Sequence, residues 1–156
     1  MKQKYITNSA DQTKEIGKNI AKKILNLSNQ KERAVIIVLK GELGSGKTTF
    51  IQGLAKGLGI KHRILSPTFI LMRNYKIPKI DKRFYHIDCY RIKQSQELSF
   101  LNLEKLFLDP KNIIAIEWPE KIKNILSQDI VVLEFKHKKQ NQREIHFKAY
   151  KKQLLF

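Results

Sequence analysis

Nine consecutive residues, Gly41-Glu42-Leu43-Gly44-Ser45-Gly46-Lys47-Thr48-Thr49, combine glycines, hydroxyls and a lysine in a spacing that can hold a polyphosphate. They fit the pattern G-x-x-x-x-G-K-[ST], with Gly41, Gly46, Lys47 and Thr48 in the fixed places. Glycines let backbone N–H groups curl inward around phosphate oxygens, a turn that side chains would obstruct. A helix starting at the end of the loop adds free N–H groups and a positive dipole end. Gly44, Ser45, Gly46 and Thr49 complete this cradle. The Lys47 ammonium is the group to reach β- and γ-phosphates, and the Thr48 hydroxyl the one to take a place on Mg²⁺.

A loop of this kind needs a second acidic group for the metal, usually from a neighbouring strand. Two carboxylates qualify. Glu117 follows the apolar run Ile113-Ile114-Ala115-Ile116, at the strand end where such an acid belongs. Asp88 ends the mixed run Phe84-Tyr85-His86-Ile87, beside His86 and Arg91. Glu117 is expected near the metal with Asp88 close by, which makes Lys47, Asp88 and Glu117 the catalytic candidates and Thr48, Glu117 and Asp88 the metal candidates. His86 and Cys89 are read as structural. Arg91 either neutralises phosphate charge or pairs with Asp88. Trp118, the only tryptophan, either packs in the core or shapes the site. Ser66 and Thr68, on the stiff bend Ile64–Phe69 around Pro67, could sense a γ-phosphate or Mg²⁺.

The elements that must position these groups are readable in outline. Residues 1–8 read as irregular. Ser9 with Gln12 resembles a capping box opening a helix, whose Ile16, Ile20, Ile24 and Leu27 share one face up to Ser28-Asn29. Ala34–Leu39 is apolar and β-branched, as a strand buried on both faces should be. Phe50, Ile51, Leu54, Ala55 and Leu58 recur at helical spacing behind the loop, with Gly57 and Gly59 as stops. Phe69–Tyr75 and Phe84–Asp88 read as an antiparallel hairpin joined through Lys76–Lys82. Ser95–Leu108 reads as a helix ended by Asp109-Pro110, and Pro119 opens a short helix through Leu126. Ile130–Phe135 and Arg143–Tyr150 are two more strands, connected by the polar Lys138–Gln142. The expected fold is α/β: a mostly parallel central sheet with antiparallel strands, flanked by helices, in one domain over residues 1–156.

Composition narrows the class. The chain has 156 residues, enough for one core. No apolar run approaches a membrane span, and no apolar segment follows Lys2 and Lys4, so neither a membrane anchor nor a secretory signal is expected. One cysteine excludes a disulfide framework and a cysteine-based metal cluster, and cytoplasm is the natural compartment. The net charge of +17 invites a nucleic-acid reading. Of 31 basic residues only six are arginine, and the lysines run along the whole chain. Compositional bias and a selected electrostatic role both account for that pattern.

Four segments in order resemble the bacterial TsaE (YjeE) family: Gly41–Thr49, Ser66-Pro67-Thr68-Phe69, His86-Ile87-Asp88-Cys89-Tyr90-Arg91 and Glu117-Trp118-Pro119-Glu120. Cys89 stands where family members often have leucine, a packing change. Members are small P-loop ATPases needed for threonylcarbamoyladenosine at position 37 of certain tRNAs. The resemblance implies that Lys47 and the loop bind ATP, that Thr48 and Glu117 serve Mg²⁺ with Asp88 in the same site, and that Ser66–Phe69 is a nucleotide-sensing switch. It implies TsaD and TsaB as partners, with this chain hydrolysing ATP to reset or license their complex rather than transferring the group. Apart from Arg91, no arginine is obviously placed as an internal finger, so hydrolysis is expected to be slow alone and faster with partners. The adenine contacts are expected around Asn8–Thr13.

Two rival readings remain. A P-loop kinase for a nucleotide or small molecule would need an acceptor site and an arginine-rich lid, and no arginine cluster is visible. A basic RNA-binding module with a secondary nucleotide site rests on the charge, and no aromatic RNA-binding signature accompanies it. An indirect or weak tRNA contact is compatible with either the family reading or this one.

Overall fold

The computed structural model describes residues 3–67, 69–93, 97, 101–126 and 130–149. At its centre is β2 (Val35–Lys40), whose first five residues are buried. β-Branched side chains suit this strand because both of its faces are covered. Val35, Ile37 and Leu39 point into one apolar cluster, and Ile36 and Val38 into the other. β5 (Asn112–Glu117) and β6 (Ile130–Lys139) pair with β2 in parallel, and β4 (Arg83–Asp88) pairs with β5 in parallel. Antiparallel strands complete the sheet: β3 (Met72–Lys76) on β4, β7 (Gln142–Ala149) on β6, and β1 (Gln3–Thr7) on β7. The order across the seven strands is β1-β7-β6-β2-β5-β4-β3.

Helices α1 (Ala10–Ser28) and α2 (Lys47–Gly57) cover one face of the sheet; α3 (Leu103–Leu108) and the 3-10 segment Pro119–Ile125 cover the other. Phe50 of α2 is fully buried and meets Phe135 and Phe147 edge-on, at centroid distances of 5.7 and 6.4 Å. Truncating such a ring typically costs about 3–5 kcal/mol. α1 and α2 touch backbone to backbone. A Cβ added at Gly53 would lie 1.9 Å from the Lys14 carbonyl oxygen, and one at Gly17 would lie 2.3 Å from that of Phe50. Gly57 packs likewise on Lys18 and Ala21. α2 then ends in a Schellman turn: Gly59 N–H donates to Lys56 O and Ile60 N–H to Ala55 O, with Gly59 at φ +82°.

Four readings change. Gln3–Thr7 is a strand, not irregular; its partner β7 lies more than a hundred residues away, so no local pattern announces the pairing. Tyr5 packs edge-on against Phe147 at 5.5 Å and holds it there. The helix expected over 95–108 is described as Leu103–Leu108, because Asn102 takes a left-handed φ of +47° that interrupts a helix. Residues 95, 96 and 98–100 of that expectation lie outside the described residues. The tail hairpin turns at Gln140-Asn141, since β6 runs to Lys139 and β7 begins at Gln142. Finally, Ser9 Oγ accepts from Gln12 N–H as expected, but the Gln12 side chain accepts from Asn8 N–H, one residue before the cap. No helix among the described residues is long and apolar enough to cross a membrane.

Glu144 ties β1 to the sheet. Its carboxylate pairs with Lys4 at 2.9 Å, with His146, and with Lys138 at 3.5 Å. Hydrogen bonds from Lys4 and then His146 hold its pKa down at about 2, against an ordinary 4.5. A depressed carboxyl stabilises the fold above its ordinary pKa and loses that contribution as pH falls through the folded value. Stability should therefore fall between pH 4.5 and about 2, and Glu144→Gln should flatten this part of the profile in urea melts against pH. An unchanged slope would remove Glu144 from the acid transition. Gly53→Ala, by forcing α1 and α2 apart, should cost about 1–3 kcal/mol or more in the same melts.

Candidate active site

The site begins where β2 ends. Gly41, Gly44 and Gly46 have φ of +142°, +75° and +101°, values that turn the chain tightly and that L side chains rarely adopt. At Gly41 a Cβ would also lie 2.5 Å from the Phe135 carbonyl oxygen. Gly46 caps α2 without a side-chain hydrogen bond, so the first-turn amides of α2 have no capping side chain from it. Ser45 lies beneath the loop, its Oγ buried with no hydrogen-bond partner among the described residues. The Lys47 ammonium donates to Gly41 O at 2.7 Å and Glu42 O at 2.8 Å, and stands 4.2 Å from the centroid of the Trp118 ring. Burial pushes its pKa down, opposed by the charges of Glu117, Asp88 and Glu120.

β5 and β4 deliver the acids. Glu117 pairs in register with Leu39 of β2 and with Asp88 of β4, so both carboxylates stand at the same edge as the loop. Glu117 Oε1 and Oε2 accept from Thr48 Oγ1 at 2.9 and 3.1 Å, and Oε1 lies 2.8 Å from His86 Nε2. Asp88 Oδ2 accepts from Ser66 Oγ at 3.0 Å and Oδ1 from Tyr90 N–H at 2.9 Å. All of His86, Asp88 and Glu117 are buried.

A cavity of about 500 Å³ is lined by Gly44, Gly46, Lys47, Thr48, Thr49, Asp88 and Glu117, and by Ser66, Arg91 and Trp118. Both acid candidates and the loop candidates Gly44, Gly46, Lys47, Thr48 and Thr49 therefore meet in one space, while Ser45 does not line it. A second cavity of about 440 Å³, against Val35 and Val131 near the starts of β2 and β6, holds neither the loop nor the paired acids. Trp118 faces the first cavity with φ +58° and its ring 4.9 Å from Tyr90, so it shapes the site. The Arg91 guanidinium lies over the Phe69 ring at 4.2 Å. Thr68 of the proposed switch lies outside the described residues.

Arg143 is the residue that the sequence did not single out. The start of β7 brings it against the loop: a Cβ on Gly46 would lie 3.4 Å from Arg143 Cδ, and Arg143 lines the cavity. Arg91 is thus not the only arginine at the site. Of the segment around Asn8–Thr13, Ala10 and Thr13 line the same cavity. His86 was read as structural, and its bond to Glu117 makes it the group that orients this acid.

The arrangement fits a magnesium nucleotide. The loop offers a concave run of amides and a partly desolvated ammonium to an anion. Among the described residues no group of three or more His, Cys, Asp or Glu could hold a metal by itself. Thr48 and Glu117 give hard oxygen donors from only two side chains, which suits Mg²⁺, an ion that keeps waters and takes phosphate oxygens.

Comparison with known proteins agrees with this geometry. A profile of the family described as "Threonylcarbamoyl adenosine biosynthesis protein TsaE" matches residues 7–145. The chain is 38% identical over 117 residues to the tRNA threonylcarbamoyladenosine biosynthesis protein TsaE of Haemophilus influenzae, covering 74% of this chain and 71% of that one. It is 40% identical to the Synechocystis protein of the same name, over 65% of each chain. The crystal structure of Bacillus subtilis YdiB superposes with a TM-score of 0.76 at 29% identity, covering 99% of this chain and 89% of that one.

Removing one partner of a buried hydrogen bond to a charged group costs about 1.5–3 kcal/mol. His86→Ala should accordingly lower unfolding free energy by at least about 1.5–3 kcal/mol in urea titrations. A loss below about 1 kcal/mol, the scale of an ordinary hydrogen bond, would show that the pair does not hold Glu117 in place.

Proposed function

The chain belongs to the TsaE family of threonylcarbamoyl adenosine biosynthesis proteins, and from that membership we propose that it binds and hydrolyses ATP with Mg²⁺ in forming the threonylcarbamoyl group on adenosine 37 of tRNAs. The observation that carries this reading is the joining of Thr48 at the start of α2 to Glu117 at the end of β5, beside Lys47. Loop amides and Lys47 hold the β- and γ-phosphates. Thr48 and Glu117 hold Mg²⁺, and Asp88 acts in the same site, tying the Ser66 and Tyr90 loops to it. When bound, the metal neutralises charge on the transferred phosphoryl group. His86 keeps the Glu117 carboxylate aimed at Thr48, and Arg143 and Thr13, both beside Gly46, add to the lining of the same cavity.

TsaD and TsaB are the proposed partners, with this chain resetting or licensing their complex. The rim of the cavity supports a partner at this mouth: Leu43 is 76% exposed, Phe69 83% and Tyr90 48%. Large apolar side chains gathered at one opening mark an interaction surface. A covering partner would also exclude water, strengthening the electrostatics of Lys47 and the metal site.

Mg²⁺-ATP should change the intrinsic fluorescence of Trp118, and Lys47→Ala should lose about 10- to 100-fold in affinity, the worth of charge-assisted hydrogen bonds. An unresponsive Trp118 with independently demonstrated binding would misplace the metal site. Hydrolysis should be slow alone and accelerate with TsaD and TsaB. Equal rates would leave the site complete without them.

A further inference from the structure

The cations of this chain are spread through its sequence, yet the fold gathers several of them into one groove away from the nucleotide cavity. Because α1 and α2 meet at glycines, Lys14 of α1 comes alongside Lys56 of α2. The Schellman turn at Gly59 then folds Lys61, His62 and Arg63 back to the same place. Gln52 fixes the floor by donating to Ile64 O at 3.1 Å. The groove has a volume of about 730 Å³, and no carboxylate is among its lining residues. Lys56, Lys61, His62 and Arg63 are exposed, and Lys14 is paired with Asp11 outside the groove at 3.4 Å. The His62 ring lies 6.4 Å from that of Tyr75 beside it.

We propose that this groove, formed by Lys14, Lys56, Lys61, His62 and Arg63, binds the sugar–phosphate backbone of RNA. An extended polyanion satisfies several separated cations at once, where a small anion would meet one or two. Long lysine and arginine side chains in an open, shallow groove suit a phosphate track. An aromatic pair at its edge offers a surface for an unstacked base. The choice of RNA over an acidic protein rests on the tRNA-modification reading above; the groove itself does not depend on the nucleotide site.

The test uses the full chain and an unmodified tRNA transcript across a salt series. A variant combining Lys56→Gln, Lys61→Gln and Arg63→Gln is compared with one combining Lys105→Gln, Lys123→Gln and Lys136→Gln, which removes equal charge from exposed positions elsewhere. The groove variant should lose about tenfold or more in affinity, and its slope of log K against log salt should fall by about two to three, as expected for three lost phosphate contacts. The second variant should bind within about threefold of the original chain, as diffuse charge alone predicts. Equal losses in the two variants, or no loss in the groove variant, would overturn the proposal. So would competition by polyglutamate as effective as by RNA, which would assign the groove to an acidic protein. Both variants should keep the Trp118 response to Mg²⁺-ATP, so failure of the nucleotide reading and failure of this one are read separately.

Discussion

Leu39 of β2 pairs with Glu117 of β5, and Glu117 in turn with Asp88 of β4. That parallel register decides where every charged group of the site stands. The loop after β2 can only rise from the edge where β5 and β4 also end, so ammonium, hydroxyl and both carboxylates converge without long side chains reaching across. Ligand sites of open parallel sheets lie at this edge for the same reason. A slip of one residue would turn Glu117 to the opposite face, away from Thr48. The apolar runs of β2 and β5, buried on both faces, leave little freedom for such a slip.

Convergence has an electrostatic cost. Lys47 is surrounded by Glu117, Asp88 and Glu120, all acting to hold its charge against burial. Asp88 and Glu117 are almost inaccessible, and each is satisfied by named donors. One buried cation facing three carboxylates would repel a bare polyphosphate. A divalent cation held by Thr48 and Glu117 would reverse that sign, which is why the proposed ligand is the magnesium nucleotide. Arg91 and Arg143 add positive charge at the cavity lining.

What was legible in the sequence follows from how local each signal is. The loop, α2, β2 and β5 carry their patterns within a few residues, and the fold brings Lys47, Thr48 and Glu117 into one cavity. The hairpin of β3 and β4 was legible for the same reason. β1 was not, because five mixed residues acquire strand character only when β7 arrives beside them. Arg143 was missed for the same cause: its relation to Gly46 exists only through that distant strand. The His86–Glu117 bond is likewise a product of β4–β5 register, where His86 pairs with Ala115, two residues before Glu117 and on the same face of the sheet. Asn102 escaped notice because a left-handed asparagine leaves no periodic mark in an otherwise helical stretch.

The seven glycines show how one frame serves both faces of the helical layer. Gly41, Gly44 and Gly46 shape the loop, Gly17, Gly53 and Gly57 let the helices touch, and Gly59 turns the chain beyond α2. The close contact of α1 and α2 sets Thr13 at the nucleotide cavity and, one residue on, Lys14 at the basic groove. The chain after α2 joins the two places physically. Gln52 anchors Ile64 at the groove, and two residues later Ser66 donates to Asp88 at the cavity. Three residues of loop, Ile64 to Ser66, thus run from the basic groove to a buried acid, held at both ends by hydrogen bonds. A side chain at Gly53 or Gly57 would separate the helices, and with them both anion-facing surfaces, before it touched any charged group.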